Sequence, residues 1–132
     1  MRLRQTGTYS EFPLETVAAI HDELIAQSGG LEGIRDINML DASVNSPFHT
    51  LDGMYLYPTL QAMAAHLAFS LIKNHSFLDG NKRTGLLSML VFLDINGLPV
   101  TCTDSELVSL GLGLADSSIN ESELIEWIIS HS

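Results

Sequence analysis

The chain has 132 residues, 45% of them hydrophobic, and a formal net charge of −10. That length predicts one domain over residues 1–132 with a core that needs no crosslink, and the single cysteine, Cys102, excludes an internal disulfide. So acidic a surface repels phosphate backbones and argues against general nucleic-acid binding. No apolar run approaches the ~20 residues of a membrane span, and Met1-Arg2-Leu3-Arg4-Gln5 lacks the apolar stretch of a signal peptide. A cytoplasmic location without membrane attachment is the expectation.

In chain order, residues 1–11 mix polar and charged types and read as an arm or short strand. Pro13 suits a first helical turn, and Val17, Ile20, Leu24 and Ile25 then follow helical spacing until Gly29-Gly30. Asp36 can cap a second helix carrying Ile37, Leu40 and Val44, which ends before Pro47. Residues 47–57 read as a loop with Gly53 and two tyrosines. From Pro58, the positions Leu60, Met63, Ala64, Leu67, Ala68, Leu71 and Ile72 form the best amphipathic pattern in the chain, running to about Asn74.

Residues 81–96 make a fourth helix that is apolar nearly all round, from Leu86 to Ile95, and so is expected to be central. Asn96-Gly97 ends it. Leu98–Cys102 reads as a short extended piece. Thr103-Asp104-Ser105-Glu106 is a capping box for a fifth helix that Gly111 and Gly113 weaken, and Asn120-Glu121-Ser122-Glu123 starts a sixth with Leu124, Ile125, Trp127 and Ile128 as its apolar face. The expected fold is all-α, an orthogonal bundle of about six helices with a short N-terminal strand or hairpin as an option. There is no repeat, low-complexity tract or interdomain linker.

Chemistry concentrates between the third and fourth helices, in His75-Ser76-Phe77-Leu78-Asp79-Gly80-Asn81-Lys82-Arg83-Thr84. Three of the chain's six cations, Lys73, Lys82 and Arg83, fall near this one histidine. A helix N-terminus after a glycine offers unpaired N–H groups and partial positive charge to an anion. Gly80 lets a phosphate approach the backbone, Asn81 can donate an amide, and Lys82 and Arg83 add charge. Asp79 is a hard oxygen ligand suited to Mg²⁺ held mainly by phosphates, and His75 suits a general base. Phe77 would point inward and pin the loop. Taken singly, each of these residues is commoner as a solvated turn or a structural histidine; within so short a stretch they describe a phosphoanhydride site with a base beside it.

His75-Ser76-Phe77-Leu78-Asp79-Gly80-Asn81-Lys82-Arg83 resembles the Fic-family signature H-x-F-x-[DE]-G-N-x-R. Ile20-His21-Asp22, Gly29-Gly30-Leu31, Gly33-Ile34-Arg35-Asp36, Tyr57-Pro58-Thr59-Leu60 and Phe92-Leu93-Asp94-Ile95-Asn96-Gly97 resemble the Doc ("death on curing") branch of the Fic/Doc family, so that the likeness covers most of the chain. The resemblance implies that His75 deprotonates a target hydroxyl, that Asp79 holds Mg²⁺, that Gly80 and Asn81 form an anion hole, and that Arg83 contacts phosphates, with Lys82 beside it. It implies ATP or another nucleoside triphosphate as donor and a protein Ser, Thr or Tyr hydroxyl as acceptor. Doc-like members are toxins of toxin–antitoxin modules, thought to phosphorylate a translation factor and neutralised by a small antitoxin protein.

Two positions depart from the AMP-transferring pattern. Lys82 replaces its second glycine and Leu86 its second arginine, in agreement with the Doc branch and with phosphate transfer. Gly80 agrees with AMP-transferring members, since Doc is expected to carry alanine there. Phosphate transfer is the first reading and AMP or other nucleotidyl transfer the second; a catalytically silent protein-binding module is the third, against which the intact His75, Asp79, Asn81 and Arg83 argue.

Other residues have blander readings. Ser28-Gly29-Gly30-Leu31-Glu32-Gly33 formally matches a family autoinhibitory motif whose glutamate blocks the arginine, but two glycines predict a loop where that motif needs a helix. Adjacent residues on a helix point different ways, so His21-Asp22 reads as a buried hydrogen-bonding pair of positions rather than a catalytic pair. His49 and His66 lack partners at zinc-ligand spacing, and His131 is terminal. Cys102 reads as core or edge, and Tyr55 and Tyr57 as packing residues before a target groove.

Overall fold

The structure is a computed structural model and describes residues 9–132. Most of the expected N-terminal arm or strand therefore lies outside the described residues, and residues 9–11 are irregular. Six α-helices follow: α1 (Leu14–Ser28), α2 (Ile37–Asn45), α3 (Leu60–Asn74), α4 (Asn81–Ile95), α5 (Asp104–Ala115) and α6 (Glu121–His131). The all-α expectation holds. The segment expected to be a plain loop contains a 3₁₀ turn, Ser46–Phe48, and an antiparallel hairpin of β1 (Thr50–Leu51) and β2 (Met54–Tyr55), paired Thr50 to Tyr55 and Leu51 to Met54. Strands this short carry no periodicity to detect; the turn signal is Asp52-Gly53, both with positive φ. Leu98–Cys102 is not a strand: Thr101 N–H donates to the His131 carbonyl instead, pinning this segment to the end of α6.

Three caps behave as the sequence predicts, while Pro13 is the N-cap of α1 rather than part of its first turn, and Thr59, not Pro58, starts α3 by accepting from Ala62 N–H. Asp36 accepts from Met39 N–H, and both Thr103/Glu106 and Asn120/Glu123 close reciprocal capping boxes. Two burial expectations need correction. The centre of the bundle is α3, where Leu60–Ala65, Leu67, Ala68 and Ser70–Ile72 are buried, while α4 leaves Leu87 36% and Ile95 47% exposed. Alanines at 62, 64, 65 and 68 let neighbours close on α3 from several sides, so its polar-looking positions are covered too. Ile37, expected on the buried face of α2, is exposed because Leu40, Ser43 and Val44 form that face.

Helices α3 and α4 meet closely. A Cβ on Gly85 would stand 2.8 Å from Ile72 Cγ1 and 3.1 Å from the Ala68 carbonyl oxygen. Gly113 of α5 is filled in the same way by Ile119, whose Cγ1 lies 2.7 Å from the missing Cβ. The glycines that weaken α5 by propensity are thus the ones that let it pack. Met63, Leu67, Met89, Phe92 and Leu93 are fully buried in one cluster with Leu110, Leu114, Leu124 and Ile128; each such side chain contributes about 2 kcal/mol of burial. This core fixes the end of α3 and the start of α4 against each other, and with them the six-residue connection that carries His75–Gly80. Among the described residues no helix is long and apolar enough to cross a membrane.

Candidate active site

The connection begins where α3 stops. His75 is its C-cap, in the left-handed region at φ 49° and ψ 51°, with an exposed side chain. A residue with a Cβ is disfavoured there by about 1 kcal/mol. Arg35 offsets part of that cost: its Nε donates to the His75 carbonyl at 2.7 Å and its Nη2 to the Asn74 carbonyl at 3.2 Å, placing a cation on the negative end of α3. The imidazole of His75 makes no hydrogen bond among the described residues and stands free at the mouth of the site.

Phe77 points inward as expected and is 2% exposed. Below it lies His21 of α1, stacked ring on ring at 3.8 Å and 8°. His21 is itself buried, and its Nε2 donates to the Asp79 carbonyl at 2.7 Å, which fixes the proton on that nitrogen. Asp22 is 81% exposed, yet its Oδ1 lies 3.8 Å from His21 Nδ1, so the adjacent pair differs in burial but does not diverge. Asn81 braces the same turn. Its Oδ1 accepts from Phe77 N–H at 2.9 Å and its Nδ2 donates to the Phe77 carbonyl at 3.0 Å. The Asn81 amide, expected to face an anion, is therefore spent on the loop, and what Asn81 offers a ligand is its backbone N–H.

That N–H belongs to an open helix start. Gly80 is the N-cap of α4 at φ 77°, with no side-chain cap, so the first-turn N–H groups of Asn81, Lys82 and Arg83 are not covered by a capping side chain. Gly80 suits its positive φ; a Cβ there would come tight against Ile25 Cδ1 at 3.3 Å and into ordinary contact with Arg83 Nη2 at 3.6 Å. Among the described residues neither Lys82 nor Arg83 has a carboxylate within 4 Å, every ion pair there involving a histidine. The Lys82 stem packs over Gly111 of α5, where a Cβ would meet its Cγ and Cδ at 3.2 Å. In an acidic protein, two cations without carboxylate partners at a helix N-terminus create a locally positive potential that suits an anion.

Asp79 completes the rim. Its Oδ1 accepts from Gly80 N–H at 2.8 Å and its Oδ2 from Leu31 N–H at 3.2 Å, which orients the carboxylate. Each oxygen keeps lone-pair capacity, and no cation lies within 4 Å among the described residues, so the group fits a single-carboxylate Mg²⁺ site completed by phosphates and water. His75, Leu78, Asp79, Gly80, Asn81, Lys82 and Arg83 line one open cleft of about 460 Å³. A second, apolar cleft of about 410 Å³ adjoins it, sharing Lys82 and Arg83 and walled by Leu24, Leu86, Leu87 and Val108. His75, Asp79, Gly80, Asn81, Lys82 and Arg83 thus border one place, with Phe77 buried beneath them.

The chain from residue 28 to 36 runs antiparallel to the signature segment and touches it throughout. Ser28 Oγ accepts from Arg83 Nη1, Leu31 N–H meets Asp79, Leu78 N–H donates to the Gly33 carbonyl, Ile34 bridges Phe77, and Arg35 and Asp36 N–H both donate to the Ser76 carbonyl. Gly29–Gly33 is a loop, as the two glycines predict, and Glu32 is exposed. Among the described residues Arg83 is met by Ser28 and by no glutamate. Neither this contact nor the Arg35 cap on α3 has a local signal, since both join residues distant in the chain.

Of the remaining histidines, His49 is exposed and His66 serves packing. His66 Nδ1 donates to Glu121 at 3.0 Å, and its Nε2 lies 3.2 Å from both the Tyr57 and the Ser70 hydroxyls, its single lone pair accepting from one of them at a time. Burial, then the Glu121 charge, raises the Tyr57 phenol and keeps it a donor. The serine–histidine–glutamate order is that of a hydrolase, but Ser70 is 7% exposed on a helix, and the set braces α3 to α6. Tyr55 packs edge-on to Tyr9. No metal-ligating cluster exists among the described residues. Burial, then Glu106 and Asp104, push the Cys102 thiol up, away from a nucleophile's range.

Comparison with known proteins agrees with this geometry. The Fic/DOC family model matches residues 11–93, which include the whole signature segment. The chain is 46% identical over 70 residues to "Toxin Doc" of Mycolicibacterium smegmatis, covering 53% of this chain and 54% of that protein. It is 31% identical over 114 residues to "Protein kinase doc" of Escherichia phage P1, covering 86% of this chain and 89% of the relative. The match thus spans about half of the mycobacterial relative and most of the phage one. With His75 at the end of α3 and an uncapped helix start at α4, the chain belongs to the Fic/Doc family.

Proposed function

We propose that this protein is a Doc-like toxin of a toxin–antitoxin module, an enzyme that transfers the γ-phosphate of ATP to a hydroxyl side chain of a target protein such as a translation factor. The observation that carries the reading is the pairing of an unencumbered His75 imidazole with an uncapped α4 N-terminus whose Lys82 and Arg83 lack carboxylate partners among the described residues. In this reading His75 takes the proton of the target hydroxyl, the oxygen attacks the phosphorus, and the nucleoside diphosphate leaves. The N–H groups of Asn81, Lys82 and Arg83, with the two side-chain cations, bind and orient the phosphates. Asp79 would hold Mg²⁺, which supplies charge neutralisation when bound. The names of the relatives, a toxin and a protein kinase, support the same reading. A separate antitoxin protein is the expected control, and the cytoplasm the expected location.

Gly80 favours a second reading, AMP or other nucleotidyl transfer to a protein hydroxyl, and a silent binding module is the third. A bacterial lysate incubated with the protein, Mg²⁺ and ATP labelled at the γ- or the α-phosphate decides among them, with His75→Ala as control. A band from γ-labelled ATP alone, lost in the variant, is the expected result. A band from α-labelled ATP transfers the assignment to nucleotidyl transfer. A His75→Ala variant that keeps the cellular effect of the wild type leaves the binding module.

A further inference from the structure

We infer that Ser28 is a positioning residue for Arg83, a hydroxyl latch that aims the phosphate-binding guanidinium while leaving its charge available; this rests on the anion-site reading above. Ser28 is the last residue of α1 and is exposed. Its Oγ donates to the Leu24 carbonyl at 2.7 Å, which commits the hydroxyl proton to its own helix. The oxygen's lone pairs are then turned outward, and Arg83 Nη1 donates into them at 2.5 Å. The other terminal nitrogen, Nη2, lies over Gly80, 3.6 Å from where a Cβ would stand. Arg83 is thus fixed at one nitrogen and presented over the α4 N-terminus with the other.

The chemistry of the latch matters. A carboxylate at this position would also hold Arg83, but it would cancel the charge that an anion needs. A neutral acceptor restricts rotamers without competing. Arg side chains lose up to about 2 kcal/mol of freedom when ordered, so a pre-set guanidinium binds an anion at lower entropic cost.

Three variants test this: Ser28→Ala, Ser28→Thr and Ser28→Asp, measured against Mg-ATP and inorganic tripolyphosphate by calorimetry. Ser28→Ala is expected to bind both about fivefold more weakly and Ser28→Thr within about twofold of wild type. Ser28→Asp is expected to bind more weakly than Ser28→Ala, with the gap closing as salt rises. The side-chain ¹⁵Nε relaxation of Arg83, read without ligand, provides a separate arm. It should show an ordered side chain in wild type and Ser28→Thr, and a mobile one in Ser28→Ala. An unchanged Arg83 signal in Ser28→Ala, or equal affinities across the series, overturns the latch. A wild type that binds neither probe while Arg83 is ordered by Ser28 overturns the anion-site reading instead.

Discussion

His21 of α1 lies flat against Phe77 at 3.8 Å and donates a hydrogen bond to the Asp79 carbonyl, so one buried imidazole supports both the anchor and the acidic residue of the signature segment. Removing it takes away a stacked ring and leaves a part-buried carbonyl without its donor. His21→Ala is expected to cost about 3 kcal/mol in urea unfolding and to lower phosphate transfer with it. An unfolding midpoint equal to wild type would show that the contact carries no stability.

His75 stands in a left-handed backbone conformation that glycine adopts without penalty. His75→Gly is therefore expected to raise stability by about 1 kcal/mol or leave it level, while abolishing transfer. Thermal unfolding and the labelling assay on the same sample check both halves. A loss of stability would mean that the imidazole packs in a way its exposure does not show.

Gly113 has no room for a side chain because Ile119 occupies it. Gly113→Ala gains helix propensity of about 1 kcal/mol but must displace Ile119, with a net cost of about 1–2 kcal/mol. Combining it with Ile119→Val should recover part of the loss, and a double-mutant cycle reads the coupling.

The end of α6 is tied to α5 by His131 Nε2 and Glu106 Oε2 at 2.8 Å. The Thr103 backbone N–H and then His131 lower the Glu106 carboxyl, while Glu106 and then the Trp127 carbonyl raise the His131 imidazole. The Glu106 contribution is present above its ordinary value of 4.5 and is lost as pH falls through its lowered pKa. The His131 contribution is complete below 6.5 and is lost as pH rises through its raised pKa. The stability difference between wild type and His131→Ala is thus expected to be largest between those two ordinary values and to shrink on both sides. Denaturant titrations at three pH values measure it.

Much of this was legible in the sequence where the signal is local. Helical spacing, the capping boxes at Thr103 and Asn120 and the signature from His75 to Arg83 are set by neighbours within one or two turns, and each is present. The centrality of α3 was hidden because alanine is small enough to be covered on any face, which a periodicity cannot rank. The Asp52-Gly53 hairpin was hidden because two-residue strands have no period. The partners of Arg83 and Arg35 were hidden for a different reason. Ser28 is 55 residues from Arg83 and Arg35 is 40 from His75, and only the packing of α1 and α2 beside the signature segment brings them together.

The antiparallel run of residues 28–36 along the signature segment has a consequence for how ligand arrival is seen from outside. The amides of Leu31, Arg35, Asp36 and Leu78 all close bonds between the two segments. They are expected to open as one unit and to show matched solvent-exchange rates. A ligand that orders the Asp79 end is then expected to slow exchange at Arg35 and Asp36 as well. Occupancy of the cleft is thereby written into amides on the far side of the connection.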